Sequence, residues 1–152
     1  MRYLVDTNVL IRRTDADSAD RAVCSEAVDG LLETGHELCV CAQVLIEFWA
    51  ASTRPRDVNG LGLAVTVASQ QVSDFRETFT RLPEPPDMAE RWQEVAERHS
   101  VAGKQAHDAR IAALMLAHNV THLLTLNTAD FARYAEITTI TPQQVLDQPA
   151  TQ

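Results

Sequence analysis

The sequence predicts an α/β sandwich on a mainly parallel sheet. Short β-branched or Leu-rich runs recur at 2–6, 37–41, 122–126 and 137–140. Segments with apolar residues at helical spacing separate them. With 152 residues, 45% of them hydrophobic, the chain can bury the core of one domain.

Taken in order, the first strand, Tyr3–Val5, stops at Asp6, Thr7 and Asn8 and turns apolar again at Val9–Ile11. A carboxylate there is costly unless something compensates it. Asp6 is placed to cap a helix beginning at Thr7. Asp17 or Ser18 is placed to cap the next helix, 22–32, whose apolar stripe ends near Gly35. Cys39 and Cys41 alternate along "LCVCA" and with Cys24 make an odd count. They read as reduced, buried thiols suited to a reducing cytosol. A helix over 42–53 is ended by Pro55, and "STRPRDVNGLGLAV" reads as a loop. Residues 64–80 resume a helical pattern, and "RLPEPPD" breaks it before a helix at 87–99. A loop around Gly103 precedes an amphipathic helix at 107–118. Pro142 suits the first turn of a short last helix. Neither repeat nor linker interrupts the chain, so 1–147 is expected to be one domain and 148–152 a frayed tail.

The formal net charge of −8 argues against broad, charge-driven binding to nucleic acid or anionic membrane. It leaves room for an enzyme that holds a polyanion with local basic groups and a metal. Lys104 is the only lysine among thirteen basic residues, and arginine is the better fork for phosphate. The first apolar run is too short for a signal peptide, and nothing approaches the ~20 apolar residues of a membrane span. A cytoplasmic protein without a membrane partner is expected.

In parallel sheets, ligands bind at the carboxyl ends of the strands. Asp6 ends the first strand, and Asn127 follows "THLLTL". The line Asp108, Ile111, Ala112, Met115 has the i, i+3, i+4, i+7 spacing of an inward helix face headed by an acid. Val44, Glu47, Phe48 and Ala51 form a similar line with an acid inside it. Each acid has an ordinary explanation. Asp108 suits the helix macrodipole, Glu47 an ion pair with Arg110 or Arg54, and Asp6 a cap. Together, three acids on inward faces point to a shared cation. Hard oxygen ligands favour Mg²⁺ or Mn²⁺ over Zn²⁺. Asp130, in "LLTLNTADF", follows the late strand and suits either this cluster or a turn.

The D-T-N after the first strand, the Glu of "QVLIEFWAASTRP", the Asp of "HDARIAALMLAHNVTHLLTLN" and the closing "NTADF" together resemble a PIN-domain ribonuclease. More narrowly they resemble the VapC toxin of a type II toxin–antitoxin pair, over Tyr3 to about Leu146. The resemblance implies a three-layer α/β/α sandwich with about five strands. It implies a metal-dependent endoribonuclease that hydrolyses RNA phosphodiester bonds with Mg²⁺, or Mn²⁺, held by four acids. Carried over, these are Asp6, Glu47, Asp108 and Asp130, with Thr7, Asn8, Asn127 and Thr128 as polar neighbours. Some relatives carry the fourth acid nearer the strand end, where Asn127 stands. Arg110 is a candidate partner of Glu47 or Asp108, and Arg12, Arg13, Arg54, Arg56, Lys104 and Arg110 are candidates for contacting RNA phosphates. His107 is expected to be a helix-start residue and Trp92 a partner contact. The resemblance further implies a homodimer and an inhibitory antitoxin that inserts a segment, with an arginine, near the acids. Helices 22–33 and 42–53, with Phe48 and Trp49, are the candidate grip. Three rivals remain. A receiver domain or aspartyl phosphatase would want a second acid beside Asp6 and a late-strand Lys. The others are a catalytically silent PIN-fold binding module and a metal-dependent DNA nuclease.

Overall fold

A computed structural model describes residues 1–149. Its centre is β1 (Arg2–Val5), whose Tyr3, Leu4 and Val5 are buried. A continuous apolar run of this kind marks a strand covered on both faces. β1 pairs in parallel with β2 (Glu37–Cys41) on one side and β4 (His122–Leu124) on the other. β3 (Thr80–Leu82) and β5 (Thr138–Ile140) form the edges. The order is β3-β2-β1-β4-β5, and every pairing is parallel.

Seven α-helices connect and cover the sheet among the described residues. They are α1 (Thr7–Thr14), α2 (Arg21–Glu33), α3 (Ala42–Thr53), α4 (Val65–Thr78), α5 (Met88–Arg98), α6 (Gln105–Ala117) and α7 (Pro142–Asp147). α1 packs on α2 and α3, α3 on α4, and α7 on α2, which makes one layer; α5 packs on α6 in the other. Right-handed crossovers require this division. From β1 to β3 the chain moves one way across the sheet, and from β3 to β4 it returns past β1. The result is the expected α/β/α sandwich. Phe48 of α3 is fully buried and meets Phe75 of α4 edge-to-face, with centroids 4.9 Å apart.

Several boundaries differ from the sequence reading for identifiable reasons. β3 falls where the reading placed the end of a helix and a break. Only Leu82 of its three residues is buried, so no apolar run announces it, and short charged strands are usual at sheet edges. α6 starts at Gln105, before the expected 107; its N-cap is Lys104, which gives no side-chain cap, so no capping residue marks the start. Neither Asp17 nor Ser18 caps α2. The Ser18 hydroxyl instead accepts from the Asp20 N–H, closing a turn. α7 begins at Pro142 as expected, behind a Thr141/Gln144 capping box. Of the expected tail, 150–152 lie outside the described residues. The three cysteines are free and buried. Burial pushes the thiols of Cys24 and Cys41 up to about 11, which makes them poor nucleophiles.

Candidate metal centre

The strand order turns around between β1 and β4, since the chain leaves β1 toward β2 and later returns to β1's other side. Such a reversal opens a crevice at the carboxyl ends of the strands. Here those ends are neighbours: the Asp6 N–H donates to the Leu124 carbonyl at 2.9 Å. A cleft of about 500 Å³ opens beside them, and Asp6, Glu47, Asp108 and Asp130 all line it.

Asp6 is both a cap and a cleft residue. Its Oδ1 accepts the Thr7 N–H at 2.8 Å at the start of α1. Its Oδ2 accepts the Thr125 hydroxyl at 2.9 Å and, more weakly, Asn8 Nδ2 at 3.4 Å. Asn8 Oδ1 in turn accepts the Leu126 N–H at 3.1 Å, so the D-T-N segment is tied across to the strand beside it. Thr7 Oγ1 lies 3.2 Å from both the Val44 carbonyl and Glu47 Oε2 and shares its one proton between them. Asn127 lines the cleft, while Thr128 opens the 3-10 turn Thr128–Phe131 that carries Asp130.

Two residues outside the expected set organise this centre. Thr125 is fully buried. Its hydroxyl donates to Asp6 and accepts from Asn8 Nδ2 at 3.2 Å and from the Asn127 N–H at 3.0 Å, which uses its whole hydrogen-bonding capacity. Gln43, 5% exposed, donates through Nε2 to Glu47 Oε1 at 3.0 Å and to the His107 carbonyl at 2.9 Å. It thereby links α3 to the first turn of α6, one residue before Asp108. The sequence carried a signal for each: a hydroxyl ending an apolar strand, and an amide four residues before Glu47 on the same helix face. We expect Thr125→Val to lower stability by about 1–3 kcal/mol, since it leaves buried partners of that hydroxyl unpaired. Urea unfolding checks this, and an unchanged midpoint would mean that the network relaxes at no cost.

Electrostatics set these acids apart. Burial pushes the Asp6 carboxyl above the ordinary carboxylate range. The Thr125 hydroxyl and Thr7 N–H pull it down, and Glu47 and Asp130 push it up further. Asp108 is raised to about 6, first by burial and then by Asp130, Asp6 and Glu47, with His107 partly offsetting them. Among the described residues, none of the four acids forms a salt bridge. Arg110 pairs with Glu84 and with neither Glu47 nor Asp108. Trp92 donates to the Ala106 carbonyl at 2.8 Å, an internal link between α5 and α6. His107 sits in the first turn of α6, as expected.

The donor chemistry suits a hard divalent cation: carboxylate oxygens, neighbouring amides and hydroxyls, and no thiolate. As they stand, no three of His, Cys, Asp or Glu among the described residues close tightly enough to grip an ion. Glu47 and Asp130 raise the pKa of both Asp6 and Asp108, and a bound cation would relieve that repulsion.

A parallel five-stranded sandwich with an acid-lined cleft at its switch point defines a class, and the PIN domain family model matches residues 3–137. The chain belongs to the PIN-domain family, a family of nucleases. Among solved structures it is similar to VapC toxins of VapBC toxin–antitoxin complexes. VapBC2 from Rickettsia felis, bound to a DNA fragment from its promoter, matches with a TM-score of 0.68 and 15% identity, covering 93% of this chain and 98% of the other. VapC20 of Mycobacterium tuberculosis, described as a sarcin–ricin loop cleaving toxin, matches at 0.64 and 17%, covering 87% and 95%. A toxin–antitoxin complex from Klebsiella pneumoniae matches at 0.64 and 22%, covering 92% and 97%. Among curated proteins, none matches the sequence significantly. No described helix is long and apolar enough to cross a membrane.

Proposed function

We propose that the protein is a metal-dependent endoribonuclease, the toxin of a cytoplasmic toxin–antitoxin pair. The observation that carries this reading is the set of four carboxylates that share one cleft and have no basic partner. Asp6, Glu47, Asp108 and Asp130 would hold Mg²⁺ or Mn²⁺. A bound divalent cation supplies Lewis acidity toward a phosphate oxygen and makes water a stronger nucleophile near neutral pH. Asp6 stands at the end of the central strand β1, and Thr125 and the Thr7 N–H orient its two oxygens. Thr7 and Gln43 fix the two oxygens of Glu47 from opposite sides.

α3 offers a surface for a protein partner. Ile46 and Trp49 are exposed at 64% and 36%, which supports an antitoxin or dimer contact there. Phe48 belongs to the core and takes no part. α2 turns Glu26, Asp29 and Glu33 outward, a poor apolar grip.

The test is cleavage of a mixed cellular RNA pool by antitoxin-free protein with Mg²⁺, with Mn²⁺ and with chelator. Cleavage that requires the metal is expected. A folded protein that cuts RNA under no condition would leave the silent binding module, and preferential cutting of DNA would leave the DNA nuclease.

A further inference from the structure

The cleft is not lined by acids alone. Arg12, Arg54 and Arg56 also line it, in a chain whose net charge is −8. Of the other basic residues considered for RNA contact, Arg13 is held by Asp29 at 3.0 Å, Arg110 is held by Glu84, and neither they nor Lys104 line the cleft. Arg12 and Arg54 share a space of about 500 Å³ with five carboxylates, of which Asp15 alone has a basic partner, Arg56; among the described residues neither Arg12 nor Arg54 forms a salt bridge within 4.0 Å. Opposite charges held in one cleft without closing on each other leave room for a group that both sides attract. A phosphodiester chain over a metal-loaded acid site is such a group.

The segment that carries Arg54 is built into the fold. Pro55 forces Arg54 out of the helical region, and Arg54 ends α3 in an extended conformation. The chain then turns through the 3-10 segment Arg56–Val58 and Asn59, whose φ is 66°, and runs back along α3. The Leu61 N–H donates to the Ala51 carbonyl, Gly62 to Arg54 and Leu63 to Ser52, at 3.3, 2.8 and 2.9 Å. Gly60 lies so close that any side chain there would run into the Arg54 carbonyl. Arg56 latches the loop to the end of α1 through Asp15 and Asp17, at 3.7 and 3.4 Å. The loop is thus pinned at its start, middle and end, and Arg54 is left exposed at the cleft.

We propose that Arg12 and Arg54 form a phosphate-binding subsite for single-stranded nucleic acid, gripping backbone phosphates next to the one cleaved, with Arg56 as the latch that holds the Arg54 loop in place. The proposal rests on the nuclease reading for its orientation over the acids, but its test does not require cleavage. A fluorescein-labelled oligouridine 12-mer is titrated in chelator against wild type, Arg12→Gln, Arg54→Gln, the double variant and Arg13→Gln. Each of the first two should weaken binding about 3–10-fold and reduce the slope of log K against log salt by about 0.7, the value for one phosphate on a single strand. Arg13→Gln should match wild type. In cleavage assays Arg54→Gln should raise KM and spare kcat. Gly60→Ala, which displaces the loop and keeps both arginines, should weaken binding in the same direction. Equal affinity and salt slope in Arg12→Gln, Arg54→Gln and Arg13→Gln overturn the subsite even if the wild type cleaves RNA. Arginine-dependent binding without any metal-dependent cleavage upholds the subsite and rejects the nuclease.

Discussion

Asp6→Asn is expected to reduce RNA cleavage by ~10³-fold or more, while leaving the fold intact. The asparagine keeps an oxygen for the Thr7 N–H and roughly the same volume, so the start of α1 survives, although its amide N–H₂ then stands against the Thr125 hydroxyl and the Asn8 amide, which both donate to Asp6. It removes the charge that burial disfavours and that Glu47 and Asp130 repel. Above the acid range the relieved charge and the lost hydrogen bonds oppose each other, so the metal-free variant should unfold near the wild-type midpoint, and addition of Mg²⁺ should raise its midpoint less than it raises that of wild type. Activity and unfolding must be measured on the same preparation. Cleavage that survives the substitution would remove Asp6 from the metal centre. Loss of cleavage together with a matching loss of stability would assign Asp6 a structural role.

The second large effect concerns pH. In the metal-free protein, Asp108 ionises at about 6, against an ordinary value of 3.8. A group with a raised folded-state pKa binds protons more readily in the folded protein. Its protonation stabilises the fold at low pH, and that stabilisation is lost as pH rises from about 4 through about 6. Asp108 is partly exposed, so solvent screening reduces the effect to about 1 kcal/mol. Asp6, also raised, adds in the same direction. Saturating Mg²⁺ should remove this loss, because a cation favours the ionised acids. Conversely, metal affinity should fall as pH drops below about 6. Asp108→Asn should flatten the stability–pH profile between pH 4 and 7 in chelator and weaken its response to Mg²⁺. An unchanged profile in that variant would show that Asp108 is not the group responsible.

Much of the site could be read before the structure because each acid's anomaly is local. Asp6 interrupts an apolar strand, and Glu47 and Asp108 sit on apolar helix stripes; such interruptions are visible at spacings of one to four residues. Gln43, and the role of Thr125 beyond its place at a strand end, could not be read because a neutral polar residue in an apolar line is ambiguous until its partners are known, and those partners are Glu47, His107, Asp6 and Asn8. Arg110 was misplaced for a related reason. Lying two residues from Asp108 on a helix, it is near in sequence, but its side chain leaves the cleft and meets Glu84, 26 residues away. β3 was missed because an edge strand of three residues with one buried side chain has no periodicity to detect.

The sequence by itself determined the alternation of strands and helices, the acids that interrupt their apolar faces, and the breaks at Pro55, Gly103 and Pro142, because these depend on backbone preferences and on periodicity within a few residues. Only the tertiary structure decided that β4 lies beside β1, that Thr125 therefore holds Asp6, and that Arg54 lines the acidic cleft while Arg110 does not. These outcomes depend on contacts between residues tens of positions apart, whose energies appear only when the sheet is assembled and two distant strand ends are brought to the same crevice.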